Sequence, residues 1–147
     1  MSREGEQFPK LEFELKQIHA ELDVINRIAG KHRKLGRDEV RIRAAASSLQ
    51  SIYNGIEKMI GLVLKDKGLS PSGGPSSHAD LLMAARDQGV LSEGLVASLR
   101  DLMAFRHFFR HSYGFMIDNE LLNPLIQRIN GLVDSVAQEL DIQSGSA

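Results

Sequence analysis

Apolar residues recur along this chain at alternating intervals of four and three, and this spacing constrains the fold more than any other feature. Residues spaced in this way share one face of an α-helix. The first series is Leu11, Leu15, Ile18, Leu22, Ile25 and Ala29, and the last is Leu122, Leu125, Ile129, Leu132, Val136 and Leu140. Two further series lie within residues 42–63 and 95–102. No segment alternates with a period of two, as a half-buried strand would, so the sequence predicts an all-α fold.

Glycine, proline and serine separate these series into individual helices. Gly30 and Gly36 bracket the first break, the segment GLSPSGGPSS forms a loop at residues 68–77, and Gly89 ends a short helix. Ser92 is suited to cap the helix that follows it. We expect four main helices and one short helix, at about residues 77–88. The mostly short connections favour an antiparallel bundle.

The length of 147 residues fits a single domain over residues 1–147. We expect flexible tails at about residues 1–8 and 142–147. Gly55 and Gly61 lie inside the second helix, which they weaken, although small residues can permit close helix packing.

Charge and cysteine content exclude several classes of function. The chain has 18 Lys and Arg against 19 Asp and Glu, a formal net charge of -1, which is not the overall basicity of a polybasic nucleic-acid binder. It has no Cys, which excludes disulfides, cysteine-zinc sites, iron–sulfur clusters and thiol nucleophiles. Neither a secretory signal nor a membrane span is evident, so we expect a cytoplasmic protein without membrane contact.

The fourth helix carries a charged residue within its apolar face. Projection at about 100° per residue places Arg106 on the same line as Leu95, Leu99 and Leu102. A guanidinium in that position needs a partner, a cleft or a subunit boundary. A polar arc runs beside this line, and it contains Arg100, His107, Arg110 and His111.

Arg106 and His111 are five positions apart, which is about 140° around an ideal helix, so they do not share a face. They could converge through the long arginine side chain, through a local distortion, or through a second copy of the helix across a two-fold axis.

This region of the fourth helix combines two residue types, histidine and arginine, that are suited to RNA cleavage without a metal. Histidine transfers protons near neutral pH, and arginine binds phosphate through paired hydrogen bonds. A base could deprotonate a ribose 2′-OH while a fixed cation holds the charge on phosphorus. His107 and His111 have the spacing of metal ligands, but no HExxH motif is present and the flanking arginines oppose a divalent cation, so we expect neither metal nor cofactor. The alternative is a solvated helix end that interacts with the helix dipole.

Three segments resemble a known family. The segment FRHFFRHSYGF at residues 105–115 contains Arg106-x4-His111-x-Tyr113, which resembles the R-x4-H-x-Y motif of HEPN-domain ribonucleases, in particular the HepT-like toxins. SIYNGIEKMI at residues 51–60 is similar to an aromatic-x-x-Ile-Glu stretch of that family. SSHADLLMAA at residues 76–85 is similar to its His-x-x-Leu-Leu helix start, where a Trp commonly occupies the position of Ser77.

The resemblance implies a dimeric bundle whose motif helices face a shared cleft, and metal-independent endoribonuclease activity. It implies that Arg106 and His111 are the catalytic pair, and that His107, Arg110 and Tyr113 line the site. In some relatives this tyrosine receives nucleotidyl groups from a cognate antitoxin, a minimal nucleotidyltransferase. Two alternatives stay open: a non-catalytic subunit that binds a substrate or partner for such a nucleotidyltransferase, and a purely structural helical dimer.

Two features outside the motif are further candidates. The turn between the first two helices is basic, and its candidates for binding RNA or an acidic partner surface are Arg33, Lys34, Arg37 and Arg41. A solvated turn is the alternative. Glu57 lies beside the apolar face of the second helix, where it could pair with Arg106 or Arg110 and orient it, or could simply be a surface glutamate.

Overall fold

The computed structural model of this chain describes residues 7–32, 34–69, 77–111 and 118–142. Within these ranges the backbone forms five helices and no strand, which confirms the all-α prediction. The helices are α1 (Phe8–Ala29), α2 (Glu39–Asp66), α3 (Ser77–Asp87), α4 (Glu93–His111) and α5 (Asn119–Glu139). None of them is long and apolar enough to cross a membrane.

The helix boundaries follow from local side-chain chemistry. Three helices begin at a side chain that accepts hydrogen bonds from the first backbone amides: Asp38 at α2, Ser92 at α4 and Asp118 at α5. The predicted cap at Ser92 is therefore confirmed. Gly30 ends α1 with a φ of 64°, a left-handed conformation that glycine adopts without strain.

The first two helices form an antiparallel hairpin. Pro9, near the start of α1, lines a groove together with Lys65, near the end of α2, while Ile18 contacts Gly55 half-way along. All six residues of the predicted apolar series in α1 are buried. The apolar face of α1 is therefore buried in the core, mainly against α2.

The last two main helices are also antiparallel. At the start of α4, the Ser92 amide and hydroxyl donate to the Glu139 carboxylate at the end of α5, at 2.6 and 3.0 Å. Further along, Asp101 and Arg128 approach to 3.6 Å. The short helix α3 packs against α2 and α4. The prediction of four main helices and one short helix is thus confirmed.

The apolar face of α5 is rotated from the predicted one. Ile126 and Val133 are buried, whereas Leu125 and Leu132 are only partly buried and line a groove between α4 and α5. The strict four–three spacing corresponds to 3.5 residues per turn, and a straight helix has 3.6, so two neighbouring positions compete for the interior. Packing of α5 against several helices at once decides between them.

The predicted tails and the predicted loop lie partly outside the described residues, which omit 1–6, 70–76 and 143–147. Of the remaining tail positions, Phe8 begins α1 and Ile142 is buried in the core.

Two glycines of α2 give opposite predictions for replacement by alanine. At Gly55 a Cβ would lie 2.8 Å from Cγ1 of the buried Ile18, whereas at Gly61 it would meet nothing within 4 Å. We expect Gly61→Ala to raise the free energy of unfolding by about 0.5–1 kcal/mol through helix propensity. Gly55→Ala should lower it by about 1 kcal/mol, because overpacking exceeds that gain. Urea denaturation measures both, and equal stabilisation would show that α1 does not approach α2 this closely.

Candidate active site

Arg106 lies where α2, α3 and α4 meet. Its side chain is half-buried and turned toward the other two helices. The guanidinium Nε–H donates to Oδ1 of Asn54 on α2, and Nη1 lies 3.4 Å from Nε2 of His78 on α3. The arginine in the apolar face of the fourth helix therefore has its partners within the same chain.

His78 connects Arg106 to a carboxylate. Its Nδ1 lies 2.7 Å from Oε2 and 2.9 Å from Oε1 of Glu57. The Glu57 side chain is only 12% exposed, whereas that of His78 is 40% exposed. We call Asn54, Glu57, His78 and Arg106 the Arg106 cluster. Asn54 and Glu57 are three positions apart on α2 and so lie on one face, which lets a single helix hold both ends of the cluster.

Tyr53 lies in the core next to the Arg106 cluster. Its side chain is completely buried, and its hydroxyl finds no hydrogen-bond partner at bonding geometry among the described residues. Burial raises the pKa of this hydroxyl well above its usual range, the nearby Glu57 raises it further, and the positive charge of Arg106 opposes them. The Tyr53 hydroxyl is therefore uncharged at physiological pH, and its side chain lies beside the Arg106 cluster in the core.

The other residues of the R-x4-H-x-Y motif lie at the end of α4. His107 and Arg110 are exposed. His111 is the last residue of the helix, and its side chain lies outside the described part, as does Tyr113. Because α4 is helical through His111, residues 106 and 111 keep their separation of about 140° around the axis. A distortion of α4 between them is absent from the structure.

Two phenylalanines hold the end of α4 against the core. Phe105 is buried, and its ring stacks on that of Phe109 with 6.0 Å between centroids. Both rings belong to α4, so the packing of Phe105 and Phe109 against the core, rather than the contact between them, fixes the rotation of α4 about its axis near Arg106.

The basic turn is separate from the Arg106 cluster. Lys34, Arg37 and Arg41 are exposed, while Arg33 lies outside the described residues. The turn is anchored by the buried Leu35, whose amide donates to Asn123 Oδ1 at 3.2 Å. Arg41 precedes Asn54 on α2 by about 20 Å along the helix axis at 1.5 Å per residue. Only an extended ligand could contact both places on one chain.

Sequence reasoning named Arg106 and Glu57 as candidates but not Asn54 or His78, which the structure brings into contact with them. Glu57 contacts His78, and the structure shows no direct bond from Glu57 to Arg106 or Arg110. The available signals were weak: Asn54 is a polar residue within a mostly apolar helix, and His78 belongs to the helix-start segment noted above. Across the described ranges, no group of three or more His, Cys, Asp and Glu side chains could hold a metal ion.

Comparison with protein families identifies the chain. A family model described as HepT-like protein matches residues 44–143. The chain belongs to the HepT-like protein family. The match contains the whole Arg106 cluster and excludes α1 and the basic turn. No curated protein and no solved structure matches the chain.

The raised pKa of Tyr53 predicts a specific sensitivity to alkaline pH. Below about pH 10 the phenol is protonated in both the folded and the unfolded chain; above it only the unfolded chain releases the proton, so stability falls. We expect the free energy of unfolding of the wild type to fall faster above pH 10 than that of Tyr53→Phe, by up to about 1.4 kcal/mol per pH unit. Urea denaturation at about pH 8 and about pH 11 measures this, and equal losses would contradict the burial of the hydroxyl.

Proposed function

We propose that this HepT-like protein is the metal-independent endoribonuclease toxin of a cytoplasmic toxin–antitoxin pair, and that Arg106 and His111 are its catalytic residues. The observation that carries the proposal is the fixed guanidinium of Arg106. Two of its groups are engaged by Asn54 and His78. An arginine has five N–H donors, so the Nη2 side stays available for a phosphate.

A held cation and a nearby base are sufficient for cleavage of RNA. His111 takes the proton of a ribose 2′-OH, the 2′ oxygen bonds to phosphorus, and the bond to the 5′ oxygen breaks as that oxygen takes up a proton. Arg106 balances the negative charge that develops on the phosphoryl oxygens. The products carry a 2′,3′-cyclic phosphate and a 5′-OH.

We further propose that the active form is a homodimer with composite sites. Arg106 is directed toward α2 and α3, and the regular course of α4 carries residue 111 about 140° around the axis. A two-fold axis beside α4 could bring His111 of one copy to Arg106 of the other. The partner antitoxin in this proposal is a minimal nucleotidyltransferase, with Tyr113 as the residue it modifies.

The proposal predicts loss of activity on substitution of either catalytic residue. We expect Arg106→Ala and His111→Ala to lower the cleavage rate at least about 100-fold and to relieve growth inhibition, with the fold intact by circular dichroism. The controls Arg27→Ala and His19→Ala, which remove the same residue types from α1, should cleave within about twofold of wild type. The assay is RNA incubated in EDTA, followed by detection of 2′,3′-cyclic phosphate ends.

Mixing the two inactive variants tests the composite site. A dimer of one Arg106→Ala and one His111→Ala subunit keeps one site with both residues intact only if each site draws on both copies. Free exchange of subunits should then restore about one quarter of wild-type activity. If mixing restores no cleavage activity, Arg106 and His111 of one site belong to the same subunit. Intact RNA after incubation with the pure wild type would overturn the nuclease and favour the non-catalytic binding subunit.

The basic turn is proposed to bind the RNA backbone away from the cleavage site. In a His111→Ala background, which prevents cleavage, we expect the triple change Lys34→Gln, Arg37→Gln and Arg41→Gln to reduce the salt dependence of RNA binding. Loss of three phosphate contacts on single strands lowers the slope of log K against log salt by about 2. The control changes Lys10→Gln, Lys16→Gln and Lys67→Gln remove the same charge from exposed positions elsewhere. If the slope of log K against log salt is the same in the two triple variants, the basic turn does not bind RNA and is a solvated surface.

A further inference from the structure

We propose that Glu57, His78 and Asn54 are positioning residues for Arg106, and that Glu57 acts through the tautomer of the His78 ring. The catalytic part of this inference rests on the proposed function, whereas its structural part does not. His78 sits between the carboxylate and the guanidinium, with one ring nitrogen toward each. The ring can therefore transmit the position of Glu57 to Arg106.

The chemistry of the guanidinium determines the state of the ring. Every nitrogen of arginine donates and none accepts. The contact between Arg106 Nη1 and His78 Nε2, at 3.4 Å, is therefore favourable only when Nε2 carries a lone pair. The ring proton must then be on Nδ1, which faces the two Glu57 oxygens at 2.7 and 2.9 Å. A carboxylate accepts that proton in a hydrogen bond and so selects this tautomer.

The two other states of the ring would disturb Arg106. With a proton on Nε2, in the opposite tautomer or in the imidazolium form, an N–H would face the guanidinium N–H. Glu57 from α2 and Arg106 from α4 are charged groups that contact the ring, and Asp80 lies two positions further along α3. Without Glu57, no carboxylate from α2 would hold the proton on Nδ1.

Asn54 supplies the second fixed point. It accepts from Arg106 Nε, while His78 accepts from Nη1. Two acceptors from different helices restrict both the rotation and the tilt of a planar guanidinium. The Nη2 group of the guanidinium, which lies away from these two acceptors, is then directed toward the phosphate. We therefore expect these residues to affect the rate of cleavage more than the binding of RNA.

The tautomer can be measured without RNA. Long-range ¹H–¹⁵N correlation spectra at about pH 8 should show His78 with a protonated Nδ1 and an unprotonated Nε2. The signals are assigned by their loss in His78→Gln. Glu57→Ala, which removes the acceptor, should shift the population toward the Nε2–H tautomer, while Glu12→Ala, at an exposed glutamate on α1, should leave it unchanged. A proton on Nε2 in the wild type would overturn the inference.

Kinetics test the positioning role. We expect His78→Ala and Asn54→Ala each to lower kcat about 10-fold or more with KM changed less than about threefold. His78→Gln should recover most of the rate, since its amide oxygen can accept from Arg106. His19→Ala is the matched control on α1. If His78→Ala keeps wild-type kcat, or if His78→Gln is as slow as His78→Ala while both remain folded, the positioning role is wrong.

The two proposals fail in different ways. If the wild type does not cleave RNA, the proposed function fails, and the tautomer spectra still decide whether Glu57 acts on Arg106 through His78. If the wild type cleaves RNA but the ring carries its proton on Nε2, the proposed function stands and the positioning role is overturned.

Discussion

A guanidinium within an apolar helix face must be hydrogen-bonded, and this requirement organises the region where α2, α3 and α4 meet. Arg106 is satisfied by an amide oxygen from α2 and by the ring of His78 from α3. The ring is in turn satisfied by Glu57. Arg106, His78 and Glu57 therefore each gain a partner as they leave water, which is the condition for burying charge at tolerable cost. The short helix α3 takes part in this region through the His78 side chain.

The position of α2 makes the cluster possible. Gly55 lets α1 approach closely on one side, because a Cβ there would collide with Ile18. Asn54 and Glu57, three positions apart, reach α4 and α3. One helix thus combines close packing against α1 with two polar contacts to α3 and α4. A shift of α2 along its axis would separate Asn54 and Glu57 from their partners together.

The sequence predicted the elements more reliably than the contacts between them. The apolar series of α1 is buried at every predicted position, and Ser92 caps α4 as expected. The predicted buried face of α5 was partly wrong. Leu125 and Leu132 are only partly buried, whereas Ile126 and Val133 lie inside the core. Spacing along one helix defines a broad apolar stripe, but the neighbours decide which edge of that stripe is covered.

The sequence by itself determined the helical class, the Arg106-x4-His111-x-Tyr113 pattern, and the anomaly of an arginine on an apolar face. Each depends on neighbours along the chain, where helical periodicity relates residues three or four positions apart. Only the tertiary structure decided which groups receive that arginine, because Asn54 and His78 are 52 and 28 positions away. Such contacts depend on how whole helices pack, and packing is set by the shapes of all the faces together.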